Sequence, residues 1–259
     1  MKVVVIGGTG LIGSKVVAGL REHRHEAVPA SPDTGVNTLT GEGLAAVLTG
    51  ADVVVDVSNS PSFEDAAVLN FFRTSTGNIL AAEVVAGVRH HVALSVVGSE
   101  RLTGSGYMRA KLAQEKLIKE SGIPYSIVHA TQFFEFVARI ADDLTVANEV
   151  RVPPVLFQPI AAEDVAKTVA RVSVGTALNG TIEVGGPQQL RFDEIIRRAL
   201  AARNDPRTVI ADPAARYYGA VLEERSLVPG AGALVGDVTL EAFLKQKAAP
   251  ASQPAAAGR

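Results

Sequence analysis

The sequence lacks cysteine and tryptophan among its 259 residues, and only 5% of them are aromatic. Without cysteine the chain cannot form disulfides, thiolate nucleophiles, iron–sulfur clusters or cysteine zinc sites. None of its histidines has the i, i+4 helical pairing with a carboxylate that a metalloprotease-type zinc site needs, so we expect no metal site. The net charge is −2 and no run of five like charges occurs, so we expect no nucleic acid partner.

Long apolar runs are also missing. The first apolar run, Val3-Val4-Val5-Ile6, is far shorter than the roughly 7–15 residues of a signal-peptide core. No stretch approaches the ~18 residues of a membrane span. These absences favour a cytoplasmic protein that does not contact a membrane.

What the chain does have is aliphatic residues in short runs, since hydrophobic residues make up 47% of it. From residue 2 to about residue 130, β-branched runs alternate with stretches of helical spacing. This alternation predicts an α/β fold of Rossmann type, a doubly wound parallel sheet with helices on both faces. The predicted strands are residues 2–6, 26–29, 51–57, 92–97, 125–129 and 181–184, with 36–39 as a further candidate.

A glycine-rich turn, residues 7–13 (Gly-Gly-Thr-Gly-Leu-Ile-Gly), joins the first strand to the first helix. Gly7 allows the tight turn, Gly10 lets the backbone approach a pyrophosphate, and Gly13 lets the helix pack on the strand. The helix N-terminus adds free N–H groups and a partial positive charge. The turn therefore predicts a site for NAD(P)(H). Its predicted contacts are Gly7, Thr9, Gly10, Leu11, Ile12 and Gly13.

Further cofactor contacts follow from the rule that ligands lie beyond the carboxyl ends of parallel strands. That rule selects Ser58, Asn59, Ser95 and Thr131. At the end of the second strand the chain has no acid for the ribose hydroxyls of NAD. Ser31 can hydrogen-bond a 2′-phosphate there, whereas Asp33 can bind a diol. The missing acid favours NADP(H) slightly over NAD(H).

The second half of the chain is less regular. Residues 132–147 have the spacing of a helix, and further helices are predicted over 164–172 and 193–202, which begin with acidic residues. Residues 151–158 are proline-rich, which predicts an irregular segment or an edge strand. The predicted organisation is an NAD(P)-binding Rossmann domain over 1–150, a smaller C-terminal substrate-binding part over 151–245, and a disordered tail over 246–259, where alanine, proline and glycine dominate.

Tyr107 and Lys111 form a candidate catalytic pair, because residues four apart share one face of a helix. A nearby ammonium lowers the pKa of a phenol from its reference near 10, so that the phenol can give or take a proton near neutrality. The alternative is an exposed tyrosine beside a solvated lysine. Spacing alone favours this alternative. The position after the fifth strand, together with the family resemblance described next, leads us to predict that both residues are catalytic and that Lys111 also contacts the cofactor.

Several segments together resemble the short-chain dehydrogenase/reductase superfamily. They are the turn spacing Gly-x-x-Gly-x-x-Gly, the segment Leu94-Ser95-Val96-Val97-Gly98, the pair Tyr107-x-x-x-Lys111, the Ile-x-x-x-Asp-Val-Ala pattern at 160–166, and Gly185-Gly186-Pro187. The combination looks like the NmrA-like atypical branch, which includes NAD(P)H-dependent quinone and azo reductases and also redox-sensing regulators. The resemblance implies that Lys111 orients the nicotinamide ribose and that Tyr107 supplies or relays a proton.

One departure from the superfamily pattern bears on the reaction. The superfamily's catalytic Ser/Thr lies a residue or two after the position aligned with Ser95, where this chain has Val96 and Val97. Ser95 and Ser99 are candidate substitutes. The departure argues against carbonyl–alcohol dehydrogenase chemistry. It fits better with hydride delivery to a quinone-like acceptor, or with cofactor binding without turnover.

The sequence therefore predicts an NAD(P)H-dependent reductase that acts on a small-molecule acceptor, either a quinone or a small conjugated carbonyl, as a monomer or homodimer. Two alternatives stay open: a non-catalytic NAD(P)-binding redox sensor, and an epimerase or dehydratase that uses bound NAD. Other roles also stay open. His129 is either a contact of the nicotinamide or substrate, or a semi-buried structural histidine. The cluster Phe133, Phe134 and Phe136 lines either the acceptor pocket or the core of the C-terminal part, and Tyr217 and Tyr218 are candidates to cap that pocket. His90 and His91 are expected at the surface or a strand edge.

Overall fold

The computed structural model describes residues 1–248, and most of the predicted tail lies outside them. The strands are β1 (Lys2–Ile6), β2 (Glu26–Ala30), β3 (Val53–Asp56), β4 (His90–Val96), β5 (Tyr125–Ala130), β6 (Thr145–Val146), β7 (Glu149–Val152), β8 (Leu156–Phe157), β9 (Gly180–Gly185), β10 (Leu190–Arg191), β11 (Thr208–Ala211) and β12 (Leu234–Val235). The helices are α1 (Leu11–Glu22), α2 (Leu44–Leu48), α3 (Asp65–Ala86), α4 (Gly106–Glu120), α5 (Val137–Asp143), α6 (Ala162–Ser173), α7 (Phe192–Ala201) and α8 (Leu240–Ala248).

Seven strands form one parallel sheet in the order β12-β9-β5-β4-β3-β1-β2. The order reverses between β1 and β3, which makes that point the topological switch at which such sheets bind ligands. The fold prediction is confirmed: this is a doubly wound Rossmann-type sheet.

The central strands are buried on both faces, which explains the runs of three valines in β1 and β3. Successive side chains of β1 point to opposite sides, so Val3 and Val5 join a core with α1 and α6, while Val4 and Ile6 join one with α2 and α3. A further core, built around Phe157 and Phe192, fills the smaller C-terminal part.

The smaller part contains a three-stranded sheet in the order β11-β7-β6 and the two-stranded β10–β8 pair. Beyond residue 150, however, α6, β9 and β12 return to the large sheet. The chain therefore passes between the two parts several times. Among residues 1–248, no helix has both the length and the hydropathy that crossing a bilayer requires.

Four predicted elements are corrected by the structure. Residues 36–39 form no strand but a loop with a single bridge from Asn37 to Glu42, because Gly35, Gly41 and Gly43 take left-handed backbone conformations around it. The helix expected over 132–147 is limited to α5, and the β6–β7 hairpin follows it. The segment expected to be irregular or at an edge contains the end of β7, which lies between two partners. Residues 246–248, placed in the disordered tail, belong to α8.

Candidate cofactor and active site

A cleft of about 1220 Å³ opens at the carboxyl ends of β1, β2, β3, β4 and β5. All the predicted cofactor and catalytic residues except Gly13 line it. Those residues are Gly7, Thr9, Gly10, Leu11, Ile12, Ser31, Ser58, Asn59, Ser95, Tyr107, Lys111 and Thr131. The topology therefore brings together side chains that are spread over 125 positions of the sequence.

The glycine turn has no room for side chains at its key positions. A Cβ added to Gly13 would lie 2.1 Å from the carbonyl oxygen of Gly7, and one added to Gly7 would lie 2.9 Å from the backbone nitrogen of Ser58. Gly7 has a φ of +76°, and its N–H donates to Ala30 at 2.8 Å. Gly10 is the N-cap of α1, no side chain caps that helix, and no acid lies in its first turn. The helix N-terminus is therefore open to an anion.

At the end of β2, Ser31 is buried and turned toward the glycine turn. Its hydroxyl accepts a hydrogen bond from the Thr9 hydroxyl at 3.0 Å. A capping box with Thr34 fixes its backbone. Asp33, the alternative contact, is exposed and does not line the cleft. Two hydroxyls therefore lie where the acid of an NAD-binding strand would be.

Lys111 is held in a buried hydrogen-bonded chain below the cleft. Its ammonium donates to the Leu94 carbonyl at 2.8 Å and to the side-chain oxygen of Gln114. The Gln114 amide in turn donates to Asp56 at 2.9 Å. The ammonium also lies 4.4 Å from the ring centroid of Phe72. Burial lowers the pKa of Lys111 to about 8, partly opposed by the charges of Asp56 and Glu115.

Tyr107 lies on the same helix but does not contact the lysine. Its hydroxyl donates to the Asn59 side-chain oxygen at 3.2 Å. Burial raises the pKa of Tyr107 to about 12. The expectation that Lys111 lowers this pKa is therefore wrong, because Leu94 and Gln114 hold the ammonium away. At neutral pH the phenol is protonated, so it can donate a proton but is a poor base.

Neither Ser95 nor Ser99 replaces the missing catalytic hydroxyl. Ser95 is buried and donates to Glu115 at 2.7 Å, on the side of α4. Ser99 is fully buried. His129 is bonded to the same carboxylate at 2.8 Å, which is the structural role left open above. Burial opposes ionisation of Glu115, but hydrogen bonds from His129, Ser95 and Lys119 lower its pKa to about 2.

Three further placements answer questions left open by the sequence. Phe133 and Phe136 line the cleft, whereas Phe134 packs in the core against Phe243. Tyr217 and Tyr218 also line the cleft. The surface or strand-edge position expected for His90 and His91 is wrong. Both are buried in β4, which lies between β5 and β3, and they hydrogen-bond to Ser126 and Glu83 respectively.

The residues of this site that sequence reasoning missed include Gln114, Phe63 and Arg139. Gln114 follows Lys111 by three positions, so it shares the helix face, and that spacing was a usable signal. Phe63 and Arg139 lie on different elements, yet the Arg139 guanidinium is 4.8 Å from the Phe63 ring centroid. No local pattern indicates that contact.

No family model matches the chain. It is 26% identical over 149 residues to the photosystem II assembly factor Ycf39 of Cyanophora paradoxa, over 52% of this chain and 46% of that protein. It is 23% identical over 217 residues to Ycf39 of a Synechocystis strain, over 76% of this chain and 66% of that protein. The chain thus spans about half to two thirds of the length of these curated relatives.

Solved structures match over almost the whole chain. A UDP-glucose 4-epimerase of Thermotoga maritima has a TM-score of 0.72 at 15% identity and covers 96% of this chain and 97% of its own. A short-chain dehydrogenase/reductase superfamily protein of Agrobacterium tumefaciens, with bound NAD, has a TM-score of 0.72 at 17% identity and covers 96% of both chains. An NADPH-dependent quinone oxidoreductase of Escherichia coli has a TM-score of 0.68 at 14% identity and covers 95% and 99%. These matches confirm the predicted resemblance to the short-chain dehydrogenase/reductase superfamily at the level of the fold.

Proposed function

We propose that this protein is an NAD(P)H-dependent oxidoreductase that transfers a hydride to a quinone-like or small conjugated carbonyl acceptor. The observation that carries the proposal is the single cleft that joins the open glycine turn, the Lys111 chain, the Tyr107 hydroxyl and an aromatic end. Structural neighbours that use NAD, or depend on NADPH in the case of the quinone oxidoreductase, support the cofactor class.

The residues present fit a dinucleotide. The glycine turn is a cradle that side chains would fill, and the uncapped N-terminus of α1 would face the pyrophosphate. Thr9 and Ser31 would hold the adenosine ribose, and two hydroxyls without a neighbouring carboxylate suit a 2′-phosphate. We therefore favour NADP(H). Ser58, Asn59 and Thr131 would contact the rest of the cofactor across the strand ends.

Each residue of the site has its own role in the proposed reaction. The bound reduced nicotinamide would supply the hydride. Tyr107 would donate the balancing proton to the acceptor oxygen, because its phenol carries a proton at neutral pH and its hydroxyl lies at the cleft. Asn59 orients that hydroxyl. Lys111 would hold the ribose, with Gln114 and Asp56 fixing its position. This arrangement favours reduction over alcohol oxidation, which requires a base.

A second candidate, a cofactor-binding redox sensor without turnover, is favoured by a specific observation. Val96 and Val97 occupy the position of the catalytic hydroxyl, and Ser95 is committed to Glu115. A site of this kind can bind a dinucleotide without assisting proton transfer. Such a sensor would distinguish oxidised from reduced cofactor and would show no acceptor-dependent turnover.

The test is absorbance-monitored oxidation of NADPH and NADH with a panel of quinones. We expect turnover that Tyr107→Phe lowers at least about tenfold with the cofactor Kd unchanged, because only proton donation is lost. Lys111→Met should lower turnover and should also raise the cofactor Kd. The matched controls are Tyr125→Phe, at the opposite end of β5 from the cleft, and Lys116→Met, on the exposed face of α4.

The outcomes separate the candidates. Cofactor binding without turnover on any acceptor would refute the reductase and leave the sensor. Absence of dinucleotide binding would refute both. Turnover that Tyr107→Phe leaves unchanged would refute the assigned proton donor but not the reductase.

A further inference from the structure

The aromatic end of the cleft carries apolar surface that residues 1–248 leave exposed. Phe63, Phe136 and Tyr218 line the cleft, and they are 44%, 42% and 44% exposed. Large apolar side chains exposed together indicate a binding surface. The Phe63 ring also lies 5.5 Å, centroid to centroid, from the ring of Tyr107, the proposed proton donor. A flat molecule held here would be beside the proposed reaction centre.

This aromatic wall includes a charged residue. Phe136 is the N-cap of α5, and Arg139 and Asp143 lie within that helix. Their spacing places the three side chains on one face of the helix. The Arg139 guanidinium stacks over Phe63 at 4.8 Å. It thereby spans the cleft mouth between α5 and the loop before α3. Guanidinium groups are planar and combine stacking on rings with recognition of anions.

The charge of Arg139 is only weakly neutralised. Its nearest acid, Asp143, is 3.7 Å away, and Asp143 accepts a hydrogen bond from the Tyr218 hydroxyl at 2.9 Å. Within residues 1–248 the guanidinium donates no hydrogen bond, and the Arg139 side chain is 61% exposed. By contrast, Asp65 at the same cleft is paired with Arg109 at 2.6 Å.

Tyr218 is fixed in an unusual backbone conformation. It has a φ of +46°, in the left-handed region that non-glycine residues rarely adopt, inside a turn closed by Tyr217 and Ala220. Such conformations persist where the surrounding structure demands them and are concentrated at ligand sites. The turn places the Tyr218 ring on the cleft wall and its hydroxyl on Asp143.

From this geometry we infer that the acceptor is a planar aromatic molecule carrying an anionic group, and that Arg139 determines the specificity for the anion. The inference rests on the proposed function and names the substrate class of the same site. The ring system lies among Phe63, Phe136 and Tyr218. The anion meets the guanidinium at the mouth, where it can form charge-assisted hydrogen bonds.

The test compares 1,4-naphthoquinone with a sulfonated naphthoquinone in wild type, Arg139→Gln and Arg139→Lys. We expect wild type to prefer the sulfonated compound. Arg139→Gln should raise its KM by about three- to tenfold, a range set by partly exposed charge pairs, and leave the KM of the neutral quinone within about twofold. Arg139→Lys should recover part of the preference. Arg171→Gln, an exposed arginine on α6 away from the cleft, is the control.

Equal changes in KM for the two quinones, or none, would overturn the inference. If wild type reduces neither quinone, the proposed function fails, and calorimetric titration with naphthalene-2-sulfonate then tests the site alone. A Kd raised at least about threefold in Arg139→Gln would support the anion site, and an unchanged Kd or no binding would overturn it. Phe136→Ala should weaken binding of the sulfonated and the neutral ring alike.

Discussion

Replacing Gly13 by alanine tests whether packing of α1 against the glycine turn holds the proposed cofactor site together. The added Cβ would lie 2.1 Å from the Gly7 carbonyl oxygen and 2.7 Å from the Gly8 Cα. Both neighbours are backbone, so no side chain can rotate away. Reaching the 3.4 Å of ordinary van der Waals contact requires the helix and the turn to separate by about 1.3 Å.

Helix α1 provides its own matched control at Gly19. This glycine is also helical, but a Cβ there meets nothing within 4 Å. Gly19→Ala should therefore stabilise the protein by about 0.5–1 kcal/mol through helix propensity, raising Tm by about 1–4 °C. Gly13→Ala gains the same propensity but incurs an overpacking penalty of about 1–3 kcal/mol, so we expect Tm to fall by up to about 10 °C.

Cofactor affinity should separate the two variants further. Displacing the turn moves Gly7 and Gly10, whose backbone is placed to approach the phosphates, so we expect Gly13→Ala to raise the NADPH Kd about tenfold or more. Gly19→Ala should leave it unchanged. Thermal unfolding followed by circular dichroism measures Tm, and titration of NADPH fluorescence measures the cofactor Kd. A Gly13→Ala protein as stable as Gly19→Ala and with native affinity would refute the reasoning.

Three further predictions concern charge. Burial lowers the pKa of Lys111 from 10.5 to about 8, so the cost of burying its charge is complete below pH 8 and disappears as the pH rises to 10.5. Urea unfolding should therefore show the free energy of unfolding of wild type rising by up to about 3 kcal/mol relative to that of Lys111→Met over this range, and parallel pH profiles would contradict the prediction. Against the effect of burial, hydrogen bonds lower the pKa of Glu115 from 4.5 to about 2, so the stability advantage of wild type over Glu115→Gln should be complete above pH 4.5 and shrink as the pH falls toward 2. Calorimetric unfolding at pH 7 and pH 3 measures this advantage, and equal values at the two pH values would count against the His129 and Ser95 contacts. Ser31→Asp should raise the NADPH Kd at least about tenfold by like-charge repulsion and leave the NADH Kd within about twofold, and equal effects on the two would argue against the proposed position of the 2′-phosphate.

The nucleotide-binding half could be predicted because its signals are local. A strand with four consecutive apolar residues, a glycine turn and an amphipathic helix follow one another over residues 2–22, and each is specified by its own residues. The rule for strand ends then placed Ser58, Asn59 and Thr131 at one cleft without knowledge of any contact. The loop around Val36 shows the limit, because Val36 is buried like a strand residue although flanking glycines turn the chain.

The state of the catalytic pair could not be predicted, because it depends on contacts distant in sequence. Spacing places Tyr107 and Lys111 on one face, but Asp56, through Gln114, determines where the ammonium lies. In the same way, β7 depends on β11, whose residues pair with it from more than 50 positions away. Pairings of that kind leave no periodic trace in either segment.

The return of the chain to its large sheet has a consequence for biosynthesis. Strand β5 pairs on one side with β4, but its other partner is β9, whose residues 180–184 follow their partners by 54 positions, and β12 adds its two residues only at 234–235. A ribosome that has released the first 150 residues has therefore exposed β5 as an unprotected edge. Such an edge is open to pairing with another nascent chain until the later strands emerge. The residues of the proposed nucleotide site are therefore translated before the strands that complete its supporting sheet.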